Sequence, residues 1–120
     1  MKFDDKYRKR AEVLLGLRDQ EDEILPADAN PAAAALGAAA GLGYAWKSSS
    51  VRASVYLFDS YDNASAAEKR LQADPPGDQV ASTINGPLLM WATADRDDDG
   101  AGDILLQLRE SFAGRERDRE

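Results

Sequence analysis

Histidine and cysteine are both absent from this 120-residue chain. Their absence removes Ser-His and Cys-His nucleophiles, imidazole acid–base chemistry, the usual zinc and haem ligand sets, and disulfides. Only carboxylate, lysine, tyrosine or serine chemistry is left for a reaction. A cysteine-free chain suits a reducing cytoplasm and equally suits many exported domains, so the compartment stays open. No apolar run approaches the length of a membrane span, and the opening MKFDDKYRKRA has no apolar stretch of the kind a signal peptide needs. A soluble chain is expected, and an export signal trimmed from in front of it would leave the same sequence.

Positive charge is scarce as well. Lys and Arg number 15 against 22 Asp and Glu, a net charge of -7. Residues 1–60 hold 8 basic and 9 acidic groups, whereas residues 61–120 hold 7 and 13. Such a field repels phosphate backbones and anionic lipid surfaces, so nucleic acid is not an expected partner. The basic cluster Lys6, Arg8, Lys9 and Arg10 is interrupted by Asp4, Asp5 and Glu12 and reads as a solvated helix face.

Against these absences stands 43% apolar content, enough for a single domain over residues 1–120 with one core. Phe3, Tyr7, Ala11, Leu14, Leu15 and Leu17 recur at three- and four-residue steps and predict a helix to about Arg18, capped by Asp4 or Asp5. Residues 19–43 are acidic, then alanine-rich. They form either a connector or a short helix from Pro31 to Ala40, with Asn30 as its cap and Gly41 as its stop. From Gly43 the period changes: YAWK and VRASVYLF read as a hairpin turning at Ser48–Ser50, with Val51, Ala53, Val55 and Leu57 on the core face. Ser60 or Asp62 caps a helix with the stripe Ala64, Ala67 and Leu71, which ends at Asp74-Pro75-Pro76-Gly77. A second hairpin follows in QVASTINGPLLMWATA, turning at Asn85-Gly86 in a type I′ geometry. The last helix carries Ile104, Leu105, Leu108 and Phe112, with Asp103 as N-cap and Gly114 after its end, and residues 115–120 form a frayed charged tail.

The order helix, hairpin, helix, hairpin, helix predicts an α+β fold. Its form is an N-terminal helix followed by two ββα units, giving a four-stranded, mainly antiparallel sheet with helices on one face. The other face would then carry some of Tyr44, Trp46, Tyr56, Phe58, Met90 and Trp91. It is either covered by the alanine-rich segment or the first helix, or left open as a contact surface through which a homodimer could form.

One stretch has the look of a chemical site. DRDDDGAGD places Asp95, Asp97 and Asp99 at alternate positions, then Gly100, then Asp103, a D-x-D-x-D-G-x-x-D spacing that can converge on calcium, which takes several oxygen ligands at flexible geometry. The stretch resembles the first half of an EF-hand loop, with these residues at its first, third, fifth, sixth and ninth positions. It departs from that loop at Leu106, where the EF-hand has its closing carboxylate, and at Gly102. It is also similar to the calcium loop of integrin-type β-propeller repeats, whose ending Asp103-Ile104-Leu105 matches, although a propeller needs more chain than is present. The same residues equally suit a plain turn, because Asp before a helix is favoured by capping and by the helix dipole.

Other motifs carry less. Asn63-Ala64-Ser65 is a glycosylation sequon in letters only, Gly41-Leu42-Gly43 lacks the rest of a phosphate loop, Lys47 and Lys69 are isolated, and Ser48–Ser50 has no base to activate it. The expectation is a non-catalytic acidic binding or scaffolding domain with a protein or small-molecule partner. The alternatives are a calcium-stabilised domain using Asp95, Asp97, Asp99 and Asp103, and a hydrolase working through carboxylates alone.

Overall fold

The computed structural model describes residues 5–20, 22–73 and 79–113. Phe3, the Asp4 cap, the Asp74–Gly77 stop, Gly114 and the 115–120 tail lie outside the described residues. Helix α1 (Asp5–Leu15) ends before Arg18 because Gly16 adopts a left-handed φ of 69°, which favours glycine, and a 3₁₀ turn at Leu17–Asp19 follows.

The stretch expected as connector is more ordered than its composition suggests. It holds strand β1 (Ile24–Ala27) and a single helical turn, α2 (Ala33–Leu36), closed by Gly37 at φ 72°. The helix is therefore shorter than 31–40, and Ala32 stands at its N-cap in place of Asn30. Gly41 is no stop: strand β2 (Ala40–Trp46) already runs through it. Strand β3 (Arg52–Leu57), helix α3 (Tyr61–Ala73), strands β4 (Gln79–Asn85) and β5 (Leu88–Ala94), and helix α4 (Ala101–Ala113) are the other elements of the described residues. At α3 the cap is Ser60, whose Oγ accepts the Asn63 N–H at 3.2 Å. The second hairpin turns one residue later than expected, at Gly86-Pro87. Gly86 takes φ 60° while the proline ring holds its own φ negative, the pattern of a type II′ rather than a type I′ turn.

The α+β class holds, with one antiparallel sheet, but the sheet has five strands in the order β1-β2-β3-β5-β4. The expected side-by-side ββα layout gives way to two hairpins joined through β3 and β5, with β4 turned to the outside. The fifth strand is β1, an edge strand that accommodates Pro26, where a missing N–H costs no ladder bond.

Helices close both faces of the sheet, not one. On the first face α1 and α4 pack on Tyr44, Trp46, Val55 and Met90, and on the second α2 and α3 pack on Tyr56, Phe58, Leu89 and Trp91. The physical reason lies in β3 and β5, whose apolar groups point both ways, so that one covered face would have left aromatics in water. Every aromatic expected to need cover is buried, which leaves the sheet's edges and ends, and not an open face, as its exposed parts. Two glycines of β2 make room for the second layer: a Cβ on Gly43 would stand 2.5 Å from the Asp28 carbonyl oxygen, and one on Gly41 3.1 Å from the Ala29 Cβ.

Candidate functional site

The strand pairing brings Asp22, the β2–β3 turn, the start of β4 and the 95–100 loop to one end of the sheet. Ser50 is the hub of this end. Its N–H and Oγ–H donate to Asp98 Oδ2 at 2.9 and 2.8 Å, and its Oγ accepts the Asp95 N–H at 2.8 Å. Gln79 braces the loop from β4, its Nε2 donating to the carbonyls of Asp95 and Asp98 at 2.9 Å each. Backbone bonds from Asp98 to the Asp95 carbonyl and from Ala101 to the Asp98 carbonyl, both 3.1 Å, turn the chain into α4.

These donors favour the ionised carboxylate, so Asp98 is held below the usual carboxylate range, chiefly by the Ser50 N–H and hydroxyl, with the Gly100 and Ala101 amides adding to the pull. Asp22 is the counterpart across the turn. Its two oxygens accept the Ser48 N–H at 3.1 and 2.9 Å, Oδ1 also accepts the Glu23 N–H at 2.8 Å, and its pKa is lowered, first by the Ser48 amide. Lys47 and Glu23 form an exposed ion pair at 3.3 Å beside it, of the kind that contributes little.

Two concavities flank the Ser48–Ser50 turn. A cleft of about 560 Å³ is lined by Gln20, Asp22, Trp46, Ser48, Ile104 and Gln107, and an open hollow of about 600 Å³ by Ser50, Asp95, Arg96, Asp97 and Asp98. Trp46 forms a wall of the cleft, its Nε1–H donating to Gln20 Oε1 at 3.1 Å. The linings offer hydroxyls, amides and ionised carboxylates. A carboxylate pulled down in pKa is a weak base toward the serine hydroxyl that binds it, and glycosidase chemistry needs a carboxyl held up.

The four candidate calcium ligands fall on two elements. Asp95, Asp97 and Asp99 are exposed on the loop, and Asp103 is exposed in the first turn of α4, neither its cap nor turned inward. Asp95 and Asp97 share the open hollow, together with Asp98 and the Arg96 side chain. Among the described residues no three Asp or Glu side chains are gathered as a metal ion would require. The residue that does turn inward is Asp98, which the alternating pattern skips. An Asp ahead of Gly100-Ala101 suits the turn into α4, but its neighbours suit it equally, so nothing in the sequence singles Asp98 out. Ser50, Gln79 and Asp22 carry no local signal, since their partners come from other elements.

No known protein family matches the chain, nor does any curated protein or any solved structure.

Proposed function

We propose that this is a non-catalytic binding or scaffolding domain that presents the acidic end of its sheet to a cationic partner, such as a lysine-rich peptide segment. The observation that carries the reading is a division between carboxylates at that end. Asp22 and Asp98 hold the turn and loop in place, while Asp95, Asp97 and Asp99 stand exposed on the braced loop. A fixed cluster of one sign speeds encounter with an oppositely charged surface and selects against wrong partners. The sheet interior, where Ser54 is the one buried polar or charged residue among the described residues, and the lowered carboxylates both suit binding better than acid–base catalysis, which leaves the carboxylate hydrolase with least support.

The test is titration of a fluorescent lysine-rich peptide at low and physiological salt. Neutralising Asp95, Asp97 and Asp99 to Asn should weaken binding by about tenfold or more, about 1.4 kcal/mol. Neutralising Asp28, Asp62 and Glu110 elsewhere on the surface should change it little. Equal losses from both triple variants would reduce the effect to net charge and overturn the reading.

A second reading, calcium held by Asp95, Asp97, Asp99 and Asp103, draws on the hollow that Asp95 and Asp97 share, and it requires the loop to rearrange around the ion. Thermal unfolding in excess calcium and then in chelator decides it. Binding to the native state alone stabilises by roughly 2.7 kcal/mol at a hundredfold excess over Kd, and identical curves would remove it.

A further inference from the structure

The sheet has two edges, and they are finished differently. β1 is four residues long and contains Pro26, both of which blunt an edge against further pairing. β4 is seven residues long, its sequence QVASTIN has no charge and no proline, and it pairs with β5 residue for residue without a bulge. A long, flat, uncharged edge is a template for another strand.

We propose that this edge is a self-association surface, on which a second copy of the chain adds its own β4 antiparallel about a two-fold axis at Ser82. Backbone geometry selects the register. Asn85 and Leu88 close the two-residue turn and so exchange hydrogen bonds with each other, as do Thr83, Ala81 and Gln79 with their partners in β5. Val80, Ser82 and Ile84 therefore turn their N–H and C=O groups outward. An axis at Ser82 sets Ser82 against Ser82 of the second copy and Val80 against its Ile84, so every outward donor meets an outward acceptor.

Side chains match in the same register. On the α3 face the new pairs are Val80 with Ile84 and serine with serine; on the α4 face they are Ala81 with Thr83 and Gln79 with Asn85. Between the strands β-branched groups meet their own kind and no like charges are opposed, while Ser82, Gln79 and Asn85 keep their bonds to Glu68, to the 95–98 loop and to the Phe112 carbonyl. The antiparallel arrangement also sends the two acidic ends to opposite ends of the joined sheet, which matters for chains that each carry -7.

The flanks fit a second strand. Gln72 of α3 and Arg109 of α4 border a hollow of about 280 Å³ with Val80–Ser82 in its lining. α4 turns Gly102 toward Gln79 and Arg109 toward the Val80–Ser82 hollow, and Leu106, within one helical turn of both and 52% exposed, lies outward of them on the same side of the helix. Gly102 stands level with Gln79 and the Phe112 carbonyl with Asn85, so Leu106 falls near the level of Ser82 and of the axis.

Molecular mass measured by sedimentation over a dilution series tests the association, and single cysteines test the register. The wild-type mass should double as concentration rises. Leu106→Glu, a change on an exposed helix face, should move the midpoint about tenfold higher in concentration. In a chain without cysteine, Ser82→Cys sets two thiols on residues about 5.5 Å apart, within disulfide reach, whereas Thr83→Cys sets them about 7–8 Å apart, beyond it. Covalent dimer in a glutathione buffer should form from Ser82→Cys and not from Thr83→Cys. A monomer mass at every concentration up to millimolar overturns the proposal, as do equal disulfide yields from the two variants. The Leu106→Glu arm decides alone if either cysteine variant fails to fold.

Discussion

Over one face of the sheet both layers supply bulk: Leu14 and Leu15 of α1 and Leu105, Leu108 and Phe112 of α4 pack with Tyr44, Trp46, Leu57, Leu88 and Met90 of the strands, and Ala53, Ala92 and Ala94 lie among them. Over the other it comes from the strands, where Tyr56, Leu89 and Trp91 rise to meet Ala64 and Ala67 of α3. On the second face large strand side chains thus face small helix ones, whereas on the first large groups of both layers interleave around alanines; both are ways for two layers to fill their space without voids. An alanine stripe on a helix is accordingly no sign of weak packing, because its partner surface can supply the volume.

The largest effects should come from hollowing each face at a bulky residue. Phe112→Ala on the first face and Trp91→Ala on the second should each cost about 3–5 kcal/mol in urea unfolding. If the second face were merely a loose cover, Trp91→Ala would stay within about 0.5 kcal/mol, as surface changes do. Next comes a change at a small residue of the sheet. Gly43→Ala drives a Cβ against the Asp28 backbone, which has no flexible end to yield, and should cost about 1–3 kcal/mol by the same measurement. A neutral result there would mean that residues 28–33 do not pack tightly on β2.

The smallest difference compares two hydroxyls, one per face. Tyr44 donates to Glu12 Oε2 of α1 at 3.1 Å, and Tyr56 donates to the Pro31 carbonyl. Loss of the first leaves a carboxylate that water can reach, at about 0.5–1.5 kcal/mol, and loss of the second strands a backbone acceptor, at about 1–3 kcal/mol. Tyr56→Phe should therefore cost more than Tyr44→Phe. Burial pushes the Tyr56 hydroxyl up to about 12 and raises that of Tyr44 as well. A raised folded value means stability complete below the unfolded pKa near 10 and lost as pH rises from there through the folded value. Alkaline unfolding in that window should be blunted in Tyr56→Phe, and an unchanged profile would assign the loss elsewhere.

Much of this fold was legible where the signal is local. α1, α3, α4 and both hairpins follow from apolar spacing and turn residues, and the second half of β2, from Gly43 on, is visible from its aromatics, whereas Ala40–Leu42 reads as helix end or connector. β1 was not, because ILPA has no period of its own and its pairing depends on Gly43 lying opposite Ala27. The second helical layer leaves a trace that alternation does not show: LLMWA, residues 88–92, is an unbroken and fully buried apolar run, the mark of a strand covered on both sides. At the acidic end the alternation of Asp95, Asp97 and Asp99 drew attention to the exposed carboxylates. Asp98, the one that organises the loop, is revealed only through Ser50, 48 residues away.

The bond from Ser111 Oγ–H to the Leu14 carbonyl, 2.7 Å long, joins α4 to the end of α1 across 97 residues of chain. Closing so long a loop is costly before any contact repays it, whereas the β2–β3 and β4–β5 turns close at once. Folding should accordingly run from the hairpins outward, with α1 docking after the rate-limiting step. φ-values near zero at Leu14 beside high ones at Val55 and Met90 would be its kinetic signature, and the reverse order would refute it. α1 would then be made before the sheet by synthesis and placed after it by folding.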